Sequence, residues 1–452
     1  MSNQLLNAFV KEEYGNLNKI EISLEKRLEQ LHPKKIDLSL DRILNLLSKL
    51  NNPQNKIKNV IHIAGTNGKG SVLAFLKAFL KSGNYSVNTY SSPHLINFNE
   101  RINLNGKNIS SEYLEKILKL CDKKNNNFPI TFFEMTTAAA FVAFKENPAD
   151  FTILETGLGG RLDATNVIKK PIVIIINEIS IDHTNFLGNS LKQIALEKSG
   201  IIKKNSLVVL GSQFLEAKNI IKKTANKFKS KTFIYNDDWS IKKDTFLNKI
   251  VFSSNLKNSN KEIFPLPNLK GNHQILNAGI AIKTIKLIKK LNSKNNLIKN
   301  GIKKVYWQGR LQKIQIKKLN IPMGSINKKW ELWFDGGHNK SASNALSKTL
   351  RSWKYKDLYL IFGMLNSKNP KEFLNNFKNI TKKLITVPIQ GSSPYYSNKK
   401  LYEIASLNEF NVEPSGCIKK ALGKILMKEN PGRILICGSF YMYKELNALL
   451  KK

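Results

Sequence analysis

Between residues 65 and 71 the chain reads Gly-Thr-Asn-Gly-Lys-Gly-Ser, one lysine and two hydroxyls set among three glycines. Those residue types suit a nucleotide phosphate cradle. Glycines let backbone N–H groups close on phosphate, Lys69 would neutralise the β/γ oxygens, and Ser71 could reach a Mg²⁺ ion. The apolar run Val60–Ala64 enters the loop and Val72–Leu80, able to be helical, leaves it. The spacing departs from the common phosphate loop, which has four residues between its first glycine and Gly-Lys and a hydroxyl directly after the lysine. Here Thr66 and Asn67 alone separate Gly65 from Gly68, and Gly70 stands between Lys69 and Ser71. A tight strand-to-helix turn that merely needs glycine would read the same way.

Other candidates sit at the ends of apolar runs. Glu155 closes Phe151–Glu155 and opens the glycine loop 157–166, a placement that suits a Mg²⁺ ligand facing a phosphate loop. Asp182-His183-Thr184 follows the apolar run Ile172–Ile176, and Ser91-Ser92-Pro93-His94-Leu95 follows Tyr85–Tyr90. Loops held by strands commonly carry function. For His183 alone, a hydrogen-bonded loop histidine is the competing reading.

The elements that must position these residues alternate. Tyr14–Leu31 and Leu38–Leu50 show helical apolar spacing, separated by a turn-like segment at 31–37, and Ile109–Cys121 and Leu191–Glu197 read as helices. An apolar segment opens at Thr131, a small β insertion is expected over Phe228–Phe252, and a long helix from Gly271 to about Leu291. Strands alternating with helices to about residue 300 predict a parallel α/β sheet with ligands at the strand C-termini. The pattern resets near Trp307–Gln312. Domains are therefore expected at 1–306 and 307–452, the second a smaller α/β unit with strands at Glu331–Phe334, Leu358–Phe362, Leu384–Pro388 and Ile434–Cys437.

The net charge is +40 over 452 residues. Basicity on that scale suggests nucleic acid or an anionic surface. The lysines are spread along the whole chain among asparagines, without a dense block, which favours a compositional habit and a general attraction to anionic substrates. Three scattered cysteines (121, 417, 437) exclude a disulfide framework or a cysteine zinc site. Met1–Gly15 carries charges where a signal peptide needs an apolar core, and no apolar run approaches membrane-spanning length. A cytoplasmic chain without membrane partners is expected.

Taken in order, Gly65–Ser71, Ser91–Leu95, Thr131–Glu134, Glu155–Asn166, Asp182–Thr184, Glu197–Ile201, Gly271–Gln274 and Asp335–Asn339 resemble bacterial dihydrofolate synthase/folylpolyglutamate synthase of the Mur ligase superfamily. The likeness runs from about Leu31 to Tyr441. It implies a P-loop ATPase-like N-terminal domain with a parallel sheet and a smaller Rossmann-like C-terminal domain. It also implies the reaction: ATP phosphorylates the terminal carboxylate of dihydropteroate or a folate, and the amine of L-glutamate attacks the acyl phosphate to give an amide, ADP and phosphate. Bringing a carboxylate to a triphosphate needs cations before it needs an acid or a base.

The resemblance assigns roles. Thr66, Asn67, Gly68, Lys69, Asn277, Arg310 and Asp335 are expected to bind ATP; Ser92, Glu155 and His183, with Ser71, to hold Mg²⁺, in one or two sites, with K⁺ as a further cation. Lys198 matches a carbamylated lysine, whose chemistry requires a neutral amine. Leu31, His32, Phe132, Phe133, Glu134, Met135, Leu162, Asp163 and Ala164 match the dihydropteroate pocket, where an aromatic pair suits a flat pterin, although both phenylalanines also read as plain core. His338 is expected near the nucleotide. The partners implied are small molecules, with a monomer and no nucleic acid.

Two departures stand out. The family's usual proline after Asp-Gly-Ala-His-Asn is Lys340 here, following Asp335-Gly336-Gly337-His338-Asn339, and an Asp-Lys-Asp triplet is Ser367-Lys368-Asn369. The alternatives are a monofunctional dihydrofolate synthase, another Mur-type amino-acid ligase, and, from a different class, a basic NTP-driven nucleic-acid-binding ATPase.

Overall fold

The computed structural model describes residues 26–28, 30–32, 36–255, 261–320, 330–390 and 394–450. The chain divides into two compact units, one drawn from Asn16–Asn268 and His273–Tyr306, the other including Leu269–Asn272 and Trp307–Lys452. Of the helix expected at Tyr14–Leu31, residues 14–25 and 29 lie outside the described residues, while 26–28, 30 and 31 are helical.

The first unit is built on strands β1 (Val60–Ala64), β2 (Val87–Tyr90), β3 (Ile102–Leu104), β4 (Lys107–Asn108), β5 (Phe151–Glu155), β6 (Val173–Ile176), β7 (Leu207–Leu210) and β8 (Lys231–Ile234). They form one sheet in the order β4-β3-β2-β5-β1-β6-β7-β8, parallel from β2 to β8. β1 is interior, with Ile63 opposite Glu155 on β5 and Ala64 opposite Ile176 on β6. β1, β5 and β6 are buried at every residue, as a sheet covered on both faces requires. Val60 and Leu154 pack in one core with the helix Phe132–Glu146, and Ala64, Ile174 and Ile176 in another with the helices Leu191–Ser199 and Leu215–Lys227. Each fully buried Ile or Leu in these cores contributes roughly 1.5–3 kcal/mol.

The β insertion differs from its expected extent. Lys231–Ile234 joins the main sheet as β8, and the separate antiparallel sheet is β9 (Ser240–Asp244), β10 (Lys249–Ser253) and β11 (Lys261–Pro265). The reason is strand pairing: β8 alternates only weakly but finds Leu207–Leu210 as a parallel partner, whereas β9 to β11 show the exposed–buried alternation of a sheet with one wet face.

The second unit carries β12 (Gln312–Ile314), β13 (Glu331–Asp335), β14 (Leu358–Phe362), β15 (Thr381–Thr386), β16 (Val412–Pro414) and β17 (Arg433–Cys437) in the order β12-β13-β17-β14-β15-β16. All pairs are parallel except β12 with β13. Among the described residues no helix is long and apolar enough to cross a membrane.

Candidate active site at the C-terminal edge of the first sheet

The loop after β1 is held open by glycine geometry. Gly65 and Gly68 have φ of 152° and 79°, and a Cβ on Gly68 would run into the side-chain amides of Asn177 and Asn277. The helix Lys69–Ser82 starts directly from this loop, so its first free N–H groups and the positive end of its dipole face the turn. Next to it, the exit of β6 is laced to the loop. Thr66 N–H donates to Glu178 O at 2.8 Å, Thr66 Oγ1 to Ser180 O at 3.0 Å, and Asn67 Nδ2 to Ser180 Oγ at 3.3 Å.

Lys69 Nζ donates to Gly65 O at 3.1 Å and lies 4.0 Å from the Glu155 carboxylate at the end of β5. Lys198, 4% exposed near the end of the helix Leu191–Ser199, donates to the same Gly65 O at 3.0 Å. Burial, and then the charge of Lys69, pushes the Lys198 amine down to about 7. Lys69, Glu155 and Lys198, which arise from three separate segments, thus meet around one peptide.

Topology brings the remaining metal candidates to the same edge. Ser92 lies two residues beyond β2, whose Tyr90 pairs with Leu154, the neighbour of Glu155. His183 follows β6, in the left-handed region at φ 51°, with its Nε2 3.9 Å from Asp182. Ser71 is buried in the first turn of the helix after the loop. No group of three His, Cys, Asp or Glu side chains able to hold a metal forms among the described residues. The hydroxyl and carboxylate oxygens of Ser71, Ser92 and Glu155 are donors of the kind a hard divalent cation takes.

The residues matched to a dihydropteroate pocket fall into two sorts. Glu134 is 3% exposed, closes a capping box with Thr131, and receives Arg42 Nε at 3.0 Å. Asp163 is 2% exposed and accepts from Leu158 N–H at 2.8 Å and Thr165 N–H at 3.0 Å; burial raises its pKa against those bonds. Met135 and Ala164 are buried in the core. These four are buried. Phe132, Phe133, Leu31, His32 and Leu162 keep partial exposure. Phe132 meets Phe98 edge-on at 5.6 Å, and Phe98 carries His94 at 5.8 Å and the Arg101 guanidinium at 5.1 Å. Phe133 packs on Tyr90 at 6.0 Å. His32 is bonded to Asp37 at 3.1 Å.

In the second unit the Asp335 carboxylate accepts Leu311 N–H at 2.8 Å and Gly337 N–H at 2.7 Å. Burial pushes its pKa up, while Arg310 and these N–H groups oppose the rise. That grip holds Leu311 at φ 39°, a left-handed conformation costly for a leucine. Arg310 lies over the Phe440 ring at 4.5 Å, and His338 meets that ring at 6.2 Å while bonding Gly336 O at 3.1 Å. At the two departures, Asn339 caps the helix Lys340–Arg351 with Lys340 as its first residue, and Asn369 caps Pro370–Leu374.

Asn177 and Gln213 belong to the site edge but are not among the residues expected from sequence. Asn177 Nδ2 donates to Asn277 Oδ1 at 3.1 Å, Asn277 Nδ2 to Gln274 Oε1 at 3.1 Å, and Gln213 Nε2 to Asn177 O at 2.7 Å. The available signal is Asn177's position immediately after an all-apolar strand, the same signal that marks Glu155.

Against known proteins, the Mur ligase middle domain matches residues 63–285. The chain is 31% identical over 432 residues to the probable dihydrofolate synthetase of Schizosaccharomyces pombe, covering 92% of this chain and 99% of that one. It is 31% identical over 435 residues to the dihydrofolate synthase/folylpolyglutamate synthase of Bacillus subtilis, covering 91% and 95%. Among solved structures, E. coli FolC in complex with DHPP and ADP superposes with a TM-score of 0.84 at 26% identity, over 94% of this chain and 96% of that one. Relatives of equal identity come from a yeast and a bacterium, so the bacterial qualifier of the resemblance is dropped. The chain belongs to the dihydrofolate synthase/folylpolyglutamate synthase family of Mur ligases.

Proposed function

We propose that this chain is an ATP-dependent ligase that joins L-glutamate first to dihydropteroate and then to the glutamate tail of folates. The observation that carries the reading is the convergence of Lys69 and Lys198 on Gly65 O beside the Glu155 carboxylate, in a chain similar to a FolC whose structure holds DHPP and ADP. Thr66, Asn67, Gly68 and Lys69 hold the β/γ-phosphates, with Asn277, Arg310 and Asp335 as further nucleotide contacts and His338 in support. Ser92, Glu155 and His183, with Ser71, hold Mg²⁺, which supplies charge neutralisation between two anions, and K⁺ is a further candidate. The depressed pKa leaves a large share of Lys198 neutral near pH 7, the form that adds CO₂.

The residues accomplish positioning and charge neutralisation rather than proton transfer. The γ-phosphoryl group passes to the substrate carboxylate, ADP leaves, and the amine of L-glutamate attacks the acyl carbon and expels phosphate. Phe132, Phe133, Leu31, His32 and Leu162 present the acceptor's pocket, with Glu134, Met135, Asp163 and Ala164 behind them. Domains at 1–306 and 307–452, a monomer, a cytoplasmic location and no nucleic-acid partner complete the proposal. An ADP-release assay tests it: turnover requiring L-glutamate with dihydropteroate and with tetrahydrofolate supports both steps. Because the S. pombe relative bears only the dihydrofolate synthetase name, a second reading is the first step alone, shown by turnover with dihydropteroate only. Turnover stimulated by nucleic acid without either folate substrate would overturn both.

A further inference from the structure

One buried histidine has no part in the chemistry above. His62 on β1 is 0% exposed and shares a sheet face with Val60 and Ala64 by strand alternation. Its Nε2 lies 2.8 Å from Thr165 Oγ1, and Thr165 Oγ1 donates to Asp163 Oδ1 at 2.5 Å. An ionised carboxylate only accepts, so the threonine gives its one proton to Asp163 and accepts from the imidazole. The imidazole proton therefore sits on Nε2. Nδ1 is left bare, buried and without a hydrogen-bond partner. Burial, with the charge of Lys203 adding to it, pushes the ring's pKa down to about 3, so it stays neutral throughout the physiological range.

This three-residue chain ties two working pieces together. At one end, His62 is three residues from Gly65 on the strand that ends in the phosphate cradle. At the other, Asp163 clips both arms of the Leu158–Thr165 loop. The far side of that loop rests on the helix end that carries Lys198. Arg161 N–H donates to Glu197 O at 2.7 Å, and a Cβ on Gly160 would lie 2.8 Å from the carbonyl oxygens of Glu197 and Lys198.

We propose that His62 is a positioning residue for the glutamate-acceptor substrate: its Nε2–H anchors the Leu158–Thr165 loop to β1, so that folate carboxylate and phosphate cradle keep one register. The proposal rests on the ligase reading. Glutamine can place an amide N–H near the position of Nε2, whereas asparagine places one near Nδ1, and Thr165→Val removes the hydroxyl at nearly constant shape.

The test measures ADP release and amide exchange in the full chain for His62→Gln, His62→Asn and Thr165→Val. A neutral hydrogen bond is worth about 1 kcal/mol, close to a tenfold change for each 1.4 kcal/mol. In His62→Asn and Thr165→Val the KM for dihydropteroate is thus expected to rise about three- to tenfold, with KM for ATP unchanged and faster exchange at the Leu158 and Thr165 amides. His62→Gln is expected to restore both. Parallel rises in both KM values, an unchanged loop, or a glutamine variant no better than asparagine would each overturn the proposal. Imidazole ¹⁵N shifts provide a readout independent of turnover, since a bare Nε2 in the wild type also refutes the anchor. Wild-type protein without dihydropteroate-dependent ADP release would instead refute the ligase reading, and with it the substrate half of this one.

Discussion

Lys69 and Lys198 donate to the same acceptor, the Gly65 carbonyl, at 3.1 and 3.0 Å. Two ammonium groups that close repel one another, and the carbonyl satisfies only part of what water would. The Glu155 carboxylate, 4.0 Å from Lys69, offsets the charge on that side. Lys198 is buried, and burial with the neighbouring charge of Lys69 lowers its pKa to about 7. The proposed nucleotide site thus combines one lysine paired with a carboxylate and a second lysine whose amine burial drives toward the neutral form.

The depressed pKa has a direct consequence for stability. An unfolded lysine titrates near its ordinary 10.5, while Lys198 in the fold titrates at about 7. Between those values the unfolded chain binds more protons than the folded one, so the contribution of Lys198 to unfolding free energy rises with pH across that window. Below about 7 the penalty for burying the charged amine is fully present. In buffer freed of CO₂ and metals, the wild-type urea midpoint should climb from pH 7 to pH 9.5 relative to Lys198→Met. Parallel pH curves for the two proteins would contradict it. In high bicarbonate, intact mass should instead reveal one added CO₂ that is absent from Lys198→Met.

Lys69→Met should leave the fold intact, because the lysine is tied by a bond to one backbone carbonyl and by a loose ion pair at 4.0 Å. Turnover should fall by at least about a hundredfold, the usual scale for losing a preorganised charge at a developing anion. Near-normal kcat with an unchanged melting curve would remove Lys69 from the phosphate cradle.

Gly68→Ala tests the cradle's backbone. The position needs φ of 79°, and the added methyl meets Asn177 Nδ2 and Asn277 Oδ1. The left-handed conformation alone costs an L-residue about 1–2 kcal/mol. Binding of ATP should weaken, and melting should occur earlier than in Gly70→Ala, whose site is an ordinary helical position. Equal melting points for the two variants would show that the loop can relax around the methyl.

The glycine turn after β1, the strands around it and the family motifs were legible because each is a local pattern: an apolar run, a glycine that must turn, a polar residue at the exit. What was not legible depends on distant partners. Asn177 meets Asn277 across a hundred positions, and Lys231–Ile234 becomes a main-sheet strand only because Leu207–Leu210 lies beside it. Glu134 and Asp163, expected in the dihydropteroate pocket, are buried and accept from backbone N–H groups, a placement that depends on their folded surroundings. For Glu134 the clue was present, since Thr131-x-x-Glu134 is a capping-box spacing. The asparagine bias also acquires a structural reading. Among the described residues, Asn51, Asn59, Asn84, Asn126, Asn205 and others occupy left-handed turns, where asparagine is the best-tolerated alternative to glycine.

Lys340 gives a prediction of opposite sign to the others. It is the first residue of the helix Lys340–Arg351, directly after the Asn339 cap, whose Oδ1 accepts Ala342 N–H at 2.9 Å. A first helical residue needs no N–H partner within its helix, and its φ is close to the value a proline ring imposes. The cap itself, at φ −134° and ψ 168°, is extended, as the residue before a proline prefers. Lys340→Pro should therefore stabilise the protein by about 0.4–1 kcal/mol, chiefly by restricting the unfolded chain. It also removes one of an excess of positive charges, which works in the same direction. The urea midpoint should rise while KM for ATP stays where it is. A lower midpoint would mean that the Lys340 N–H or side chain makes a bond whose loss outweighs the entropic gain, and a changed KM would give the segment from Asp335 to Lys340 a nucleotide role that depends on its freedom to move.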